Sequence, residues 1–372
     1  MVRLLCLVSL LIAVTQCRRA EPERSRVEPA RSPSPELAAP AASQPAARPG
    51  AIDPEAKSFE YPFPVRFFEL STQRQQLRMA YMDVAPAVAA RRVALLLHGK
   101  NFSGAYWEAT IRSLTEAGYR VIAPDQIGFG KSSKPDRYQY SFAGLADNTR
   151  RLLDSLGVRA SAVVGHSMGG MLAARYALTF RDRVAKLVLV NPIGLEDYAA
   201  FVPFRSVDEI YRTELELTPD KIRRYQQANY FAGEWKPEYE PLIQLASGWT
   251  LHPDYARVAW SSALTYDMVF SQPVVHDLPR LEVPTLLVIG LRDRTALGRD
   301  AAPPELAAKL GNYAELGRRA RRAIPKAELV EIPNVGHLPQ VEAFPQYSKA
   351  LLEFLGADPV PAAESAPDAG AP

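Results

Sequence analysis

The chain has 372 residues, of which 47% are hydrophobic and 23% charged, and its formal net charge is +3. These values are ordinary for a globular protein, and the length is enough to bury a core in one large domain or two smaller ones. Because no basic run is interleaved with aromatic residues, nucleic acid is not an expected partner. The densest basic cluster, RRARR at residues 318–322, is interpreted as a solvated helix face.

The first 17 residues, MVRLLCLVSLLIAVTQC, predict a signal peptide. An arginine precedes an apolar run that is too short to anchor the chain across a bilayer. Both cysteines, Cys6 and Cys17, lie here, so disulfides, zinc–thiolate sites and cysteine nucleophiles are excluded from the globular part. Residues 18–58 are rich in Pro, Ala, Glu, Arg and Ser, and this composition predicts a disordered linker.

This N-terminal arrangement resembles that of a bacterial lipoprotein. The resemblance implies that Cys17 is the lipid attachment site and that the linker tethers an exported, periplasmic domain to a membrane. Gln16 departs from the pattern, which has a small residue before the cysteine. Secretion without a lipid is the alternative.

From residue 59 onward, short apolar stretches alternate with helical ones. VRFFELS and LRMAYMDV predict a hairpin, and RRVALLLHG, YRVIAPD, ASAVVGHS, VAKLVLVNP, VPTLLVIG and AELVEIP predict buried strands. Helical spacing is found at about 142–156, 304–323 and 345–355, among other places. The alternation predicts an α/β fold with a mostly parallel sheet and helices on both faces.

The alternation stops between residues 195 and 278. This stretch has helical patterns and many aromatic residues but no clear buried strand, which predicts a helical lid over the carboxyl ends of the strands. Residues 59–194 and 279–357 are therefore assigned to the core. The Pro/Ala-rich residues 358–372 are predicted to be a disordered tail.

The strongest motif is the sequence GHSMGG, in which Ser167 lies between a predicted strand and a predicted helix. A G-x-S-x-G sequence in this context forms a sharp turn that presents the serine hydroxyl clear of the sheet. The alternative is an ordinary glycine-rich turn with a helix-capping serine.

Together with other stretches, GHSMGG resembles the α/β-hydrolase fold superfamily over residues 59–355. The other matching stretches are HG at 98–99, DQIGFGKS at 125–132, GLRD at 290–293 and NVGH at 334–337. The chain is most similar to the lid-bearing branch of esterases, C–C bond hydrolases, haloperoxidase-like enzymes and epoxide hydrolases. The resemblance implies the fold and the mechanism but not the substrate. An aspartate nucleophile would imply epoxide or haloalkane hydrolysis, and Ser167 argues against both.

Activating a serine requires a base, and five histidines are available. His337 follows the predicted strand AELVEIP, where the family carries its general base. His98 and His166 belong to turn motifs and are expected to shape the backbone. His252 and His276 fall in the lid, where they would contact only substrate.

The base in turn requires a carboxylate that fixes its tautomer. Asp293 follows VPTLLVIG and gives the chain order Ser167, Asp293, His337 that is expected for this fold. Asp293 could instead cap a helix or pair with a neighbouring arginine. Glu196 and Asp197 are alternatives from the preceding strand end.

The family pattern also implies two backbone N–H donors for the oxyanion. They are assigned to Met168 and to Lys100, with Asn101 as the alternative to Lys100. The Lys100 side chain is expected in solvent, with contact to an acidic substrate group as the alternative. Asp125 is expected to be a turn-former. Expected pocket residues are Asn101, Phe102, Tyr106, Trp107 and His166.

The sequence therefore predicts hydrolysis of a carboxylic ester, or of a related acyl or C–C bond, through an acyl-serine intermediate. Acyl transfer or peracid formation at the same site is the alternative, and a non-catalytic binding protein on this scaffold is another. The expected partner is a small acyl substrate, with no metal or cofactor. The sequence does not indicate an oligomeric state.

Overall fold

A computed structural model describes residues 48–88, 90 and 92–356. The predicted signal peptide, Cys17, most of the predicted linker and the predicted tail lie outside these residues. Within the described ranges, no helix combines the length and the apolar character needed to cross a membrane.

The strands form one sheet with the order β1-β2-β4-β3-β5-β6-β7-β8. They are β1 (Val65–Thr72), β2 (Gln75–Val84), β3 (Arg92–Leu97), β4 (Tyr119–Pro124), β5 (Ser161–His166), β6 (Val184–Val190), β7 (Thr285–Gly290) and β8 (Ala327–Ile332). β2 is antiparallel to both of its neighbours, and every other pair is parallel. The predicted α/β fold with a mostly parallel sheet is confirmed.

Helices cover both faces of this sheet. They are α1 (Glu108–Glu116), α2 (Phe142–Ser155), α3 (Met168–Thr179), α4 (Val207–Leu215), α5 (Pro219–Asn229), α6 (Glu240–Thr250), α7 (Tyr255–Ser271), α8 (Pro304–Ala307), α9 (Tyr313–Ala323), α10 (Pro339–Glu342) and α11 (Phe344–Leu355). Apolar residues of α2, α3 and α9 pack on one face, and those of α1 and α11 on the other. Because helices cover both faces of the sheet, the central strands are continuous apolar runs in the sequence.

The predicted helix at 304–323 is wrong as one element, because α8 and α9 are separated by a turn. Gly311 in this turn has φ +66°, and a Cβ there would overlap the carbonyl of Arg294. Its N–H donates to Glu196 Oε2 at 3.1 Å. The turn therefore depends on glycine and on a contact with a distant loop, neither of which the helical spacing reveals.

Between β6 and β7 the chain forms α4, α5, α6 and α7. In this segment α4 packs on α7, and α5 packs on α6. Since β5, β6, β7 and β8 are parallel, the loops that follow them meet at one edge of the sheet, and Ser167, Asp293 and His337 lie in these loops.

The predicted linker extends too far, because the residues around 52–56 pack against the lid. Ala56 is fully buried beside Trp249 and Val258. The Ile52 N–H donates to the Gly248 carbonyl at 3.0 Å, and Trp249 Nε1 donates to the Asp53 carbonyl at 3.1 Å. An average composition over 18–58 conceals these few apolar residues, whose partners lie about two hundred residues away along the chain.

Candidate active site

Ser167 lies at the turn between β5 and α3, with φ 57° and ψ −123°. This is a positive φ at a residue with a side chain, which is uncommon and costly. A Cβ on Gly165 would overlap the Gly169 carbonyl, and one on Gly169 would overlap the Leu97 carbonyl. The two glycines therefore allow β3, β5 and α3 to approach closely enough to force the strained turn at the serine.

The Asp293 carboxylate follows β7 and is completely buried. Its Oδ2 lies 2.6 Å from His337 Nδ1 and accepts a hydrogen bond from Asn191 Nδ2 at 2.7 Å. Its Oδ1 accepts from the Thr295 N–H at 2.8 Å. Because all three partners are placed to donate, the arrangement suits the ionised carboxylate and orients it towards the histidine.

His337, in the loop after β8, is held at three of its polar atoms. Its N–H donates to the Tyr230 carbonyl at 2.8 Å, its carbonyl lies 2.9 Å from His166 Nε2, and its Nδ1 faces Asp293. Nε2 is buried and has no partner among the described residues. The neighbouring groups thus fix the ring and leave one nitrogen available to exchange a proton.

His166, the residue before Ser167, connects the Ser167 turn to the His337 loop through a contact between its Nε2 and the His337 carbonyl. The His166 and His337 ring centroids are 4.7 Å apart. Within the described part of the chain, Ser167 Oγ makes no hydrogen bond to His337 Nε2. Such bonds are often long or misaligned before substrate binds and tighten only in the complex.

The alternative acids and bases lie elsewhere in the structure. His276 is exposed and pairs with Asp197 at 2.8 Å. Glu196 accepts from the Gly311 N–H, and His252 Nδ1 accepts from the N–H of Asp254. None of these contacts is to His337, so the structure gives this imidazole only Asp293 as a carboxylate partner among the residues that it describes.

Asp125 and His98 organise backbone near the site rather than entering it. Asp125 Oδ1 accepts from the Gly104 N–H at 2.6 Å, and its Oδ2 accepts from the Lys131 N–H at 2.7 Å. His98 Nε2 accepts from the Gln126 N–H at 3.0 Å. Burial lowers the pKa of His98. The neutral ring is therefore favoured, and its Nε2 can accept the hydrogen bond from Gln126.

Glu342 was not identified from the sequence, although it supports the loop that carries His337. Its carboxylate accepts from the N–H of Gly336 at 3.0 and 3.1 Å and from that of Leu338 at 3.2 Å. Burial raises the pKa of Glu342 to about 7, against the lowering effect of these two N–H donors. A glutamate shortly after NVGHLP is the only sequence signal for this role.

Glu342→Gln should change how stability depends on pH. The pKa of Glu342 is about 7 in the folded state, above its value in the unfolded state. Between these two pKa values the folded state binds more protons than the unfolded state. The contribution of Glu342 to stability therefore falls as pH rises through this window. The stability of Glu342→Gln relative to wild type should therefore increase from pH 5 to pH 8 by on the order of 2 kcal/mol. Urea unfolding at both pH values measures it, and a constant difference would contradict the account.

The expected oxyanion donors lie on both sides of Ser167. Met168 is the first residue of α3, where the N–H has no intrahelical acceptor. A Cβ on Gly99 would be 3.0 Å from the Ser167 Cβ, which places the loop after β3 beside Ser167. The N–H groups of Lys100 and Asn101 make no backbone hydrogen bond within the described residues.

The expectation that the Lys100 side chain points to solvent is wrong. Its Nζ lies 2.5 Å from Ser262 Oγ and 3.3 Å from Glu214 Oε1, and Ser262 Oγ donates to the same oxygen at 2.7 Å. The Lys100 and Glu214 side chains are 14% and 16% exposed. The lid covers the loop and supplies the counter-charge, so the ammonium links α4 and α7 to the loop beside Ser167.

This link should appear as an energetic coupling between Lys100 and Glu214. Lys100→Met leaves a largely buried carboxylate unpaired, whereas Lys100→Met/Glu214→Gln removes both charges. The double variant should be more stable than the sum of the single effects by about 1–2 kcal/mol in a double-mutant cycle. Urea denaturation measures the coupling, and strict additivity would show that the ion pair does not hold the lid.

A cavity of about 700 Å³ lies between the lid helices and the loops after β3 and β7. Lys100 and Asn101 form its wall near Ser167. Its apolar wall comes from the lid and includes Ile210, Leu217, Ile222, Trp249 and Val258. The cavity thus combines this apolar wall with charged side chains, which include Arg205, Lys221, Arg299 and Asp300, and it adjoins the loop after β3 at Lys100 and Asn101.

Four of the five predicted pocket residues, all except Asn101, do not line this cavity. Trp107 is fully buried and packs in the core under the sheet. Phe102 stacks on Tyr106 with 4.7 Å between ring centroids, and His166 is fully buried beneath them. His166 adjoins Ser167 in sequence, and Phe102 and Trp107 follow the loop after β3, but their rings pack around one another. The lid, which the motifs do not specify, forms the chamber instead.

A family model described as alpha/beta hydrolase fold matches residues 93–344. The crystal structure of a probable hydrolytic enzyme from Pseudomonas aeruginosa PAO1 has a TM-score of 0.81 and 56% identity, covering 82% of this chain and 98% of that one. A 2-hydroxy-6-oxononadienedioate/2-hydroxy-6-oxononatrienedioate hydrolase of Paraburkholderia phymatum is 28% identical, over 76% of this chain and 92% of its own length. A haloalkane dehalogenase of Mycobacterium marinum is 32% identical, over 65% and 82%.

Proposed function

Because this chain belongs to the α/β-hydrolase fold family, we propose that it is a serine hydrolase that cleaves a carboxylic ester, or a related acyl or C–C bond, through an acyl-serine intermediate. The observation that carries the proposal is the setting of His337. Three of its polar atoms are bonded, and its buried Nε2 is unpartnered beside the turn that strains Ser167.

In the first step, Ser167 Oγ adds to the substrate carbonyl carbon while His337 Nε2 takes its proton. The carbonyl electron pair becomes the oxyanion, which accepts from the N–H groups of Met168 and Lys100. Asp293 keeps the His337 Nδ1 proton in place and stabilises the resulting imidazolium. Collapse of the intermediate breaks the bond to the leaving group, which takes the proton from His337 Nε2.

In the second step, His337 takes a proton from water while the water oxygen attacks the acyl carbon. The new oxyanion uses the same two N–H donors. Its collapse releases the carboxylic acid and returns the proton to Ser167 Oγ, so the enzyme is regenerated without net gain or loss of protons. The cavity's apolar walls favour an acyl group that carries hydrocarbon.

Acyl transfer is the second candidate, and the same cavity favours it. If an alcohol or hydrogen peroxide occupies the position of water, the acyl-serine yields an ester or a peracid. The largely apolar lining of the chamber provides room for an organic acceptor beside Lys100 and Asn101. A dehalogenation like that of the mycobacterial relative is not proposed, since a serine stands at the position of the nucleophile.

A panel of p-nitrophenyl esters from acetyl to dodecanoyl, together with a vinylogous diketone, tests the proposal. Ester turnover with the free acid as the main product supports hydrolysis, and dominant ester or peracid formation on adding methanol or peroxide supports acyl transfer. Turnover of the diketone alone assigns C–C cleavage. No turnover of any substrate, and no labelling by a fluorophosphonate, would indicate a binding protein instead.

We also propose that the protein is exported and lipidated at Cys17. In cells grown with radiolabelled palmitate, the wild-type protein should carry the label and the Cys17→Ser variant should not. Equal labelling of both proteins, or labelling of neither, would contradict the lipid anchor.

A further inference from the structure

His166 joins two loops of the active site through hydrogen bonds that the proposed mechanism does not use. Its Nε2 lies 2.9 Å from the His337 carbonyl oxygen, and its Nδ1 lies 2.9 Å from the Tyr106 hydroxyl. The same hydroxyl is 3.4 Å from the Gly99 N–H. A continuous series of hydrogen bonds therefore runs from the loop after β3, beneath Ser167, to the loop after β8.

The direction of each hydrogen bond follows from the groups at the two ends. A carbonyl oxygen can only accept, so His166 Nε2 carries a hydrogen and donates to His337. Burial lowers the pKa of His166 well below its ordinary value, and the neighbouring His337 lowers it further, so the ring is neutral and Nδ1 is an acceptor. Tyr106 therefore donates to Nδ1, and its oxygen accepts from Gly99.

The surroundings bury these hydrogen bonds and allow only one arrangement of their protons. Aromatic rings enclose the His166 ring, with centroids 5.9 Å away for Phe102, 5.7 Å for Tyr106 and 6.3 Å for Trp107. Burial also raises the pKa of Tyr106 well above its ordinary value, so the hydroxyl retains its proton. Each member then has a single donor and a single acceptor role, which fixes the geometry of the chain.

We propose that Tyr106 and His166 are positioning residues that couple the oxyanion loop to the general base. These hydrogen bonds orient the peptide N–H of Gly99, one residue before the Lys100 donor, and the carbonyl of His337. The oxyanion donor and the imidazole are thereby set relative to each other across Ser167. This inference rests on the proposed serine hydrolase function.

Tyr106→Phe removes the hydroxyl that connects His166 to Gly99 while it keeps the ring that stacks on Phe102. With a p-nitrophenyl ester, kcat should fall by about ten- to a hundredfold with little change in KM, because small displacements of reacting groups are costly and Tyr106 does not line the cavity. Tyr119→Phe is the matched control. Its hydroxyl donates to the Leu355 carbonyl, away from the site, and its loss should lower Tm without changing kcat.

A double-mutant cycle separates coupling from general loosening. His166→Met removes both the acceptor for Tyr106 and the donor to the His337 carbonyl while it keeps an apolar side chain in the buried position. In that background Tyr106→Phe should have little further effect on kcat. Independent, fully additive losses, or unchanged kcat in Tyr106→Phe, would overturn the coupling. The wild-type protein distinguishes a failure of the coupling from a failure of the proposed function. If only the coupling is wrong, the wild type still hydrolyses the ester and reacts with a fluorophosphonate.

Discussion

Replacing Ser167 with alanine is expected to lower kcat for a p-nitrophenyl ester by about a millionfold, to the residual rate provided by binding and the oxyanion donors. The reason is that the acyl-serine cannot form without Oγ. The variant should remain folded, because Ser167 Oγ makes no hydrogen bond within the described residues and the strain at φ 57° is stored in the backbone. Stopped-flow and steady-state kinetics measure the loss, and circular dichroism verifies the fold.

Ser161→Ala is the matched control for this experiment. Ser161 begins β5, the strand that ends next to Ser167, and it is equally buried. Its replacement should leave kcat within about twofold of wild type, since Ser161 lies at the opposite end of β5 from Ser167 and its Oγ has no hydrogen-bond partner within the described residues. If Ser167→Ala retained more than a small fraction of the wild-type activity, another residue would have to be the nucleophile.

Replacing Asp293 with asparagine is expected to lower kcat by about ten thousandfold with little change in KM. An amide directs an N–H at His337 Nδ1 and so favours the tautomer that carries its hydrogen on Nε2, which then cannot take the Ser167 proton. The amide also meets the Asn191 Nδ2 donor, which now contacts Oδ2 at 2.7 Å. The pH dependence of kcat and the ¹⁵N chemical shifts of His337 both report the tautomer.

Asp197→Asn provides the comparison, because Asp197 was the alternative acid and pairs with exposed His276 at 2.8 Å. Its replacement should leave kcat unchanged. If Asp197→Asn reduced activity as much as Asp293→Asn does, the assignment of the carboxylate would be wrong.

The sequence was sufficient to predict the fold and the contact between Asp293 and His337. Both depend on local signals. Apolar runs that end in Gly or Asp mark buried strands, and polar residues directly after parallel strands meet at one sheet edge. Ser167, Asp293 and His337 each follow such a run, so their approach in space is a consequence of the topology.

Contacts between distant segments could not be predicted in this way. The Lys100–Glu214 ion pair joins residues 114 positions apart and requires the lid to be folded over the loop. The burial of Ala56 depends on a groove formed by α6 and α7. Tyr106 and Glu342 act through hydrogen bonds to backbone N–H groups. Since almost any residue can supply a backbone N–H, no sequence pattern indicates these partners.

Treatment of the full-length protein with a fluorophosphonate, followed by proteolysis and mass spectrometry, tests the central claim most directly. We expect one covalent phosphonyl adduct, on the peptide that contains Ser167, and loss of ester hydrolysis in proportion to labelling. An active enzyme that is not labelled, or an adduct on a different residue that accounts for the inactivation, would contradict the account.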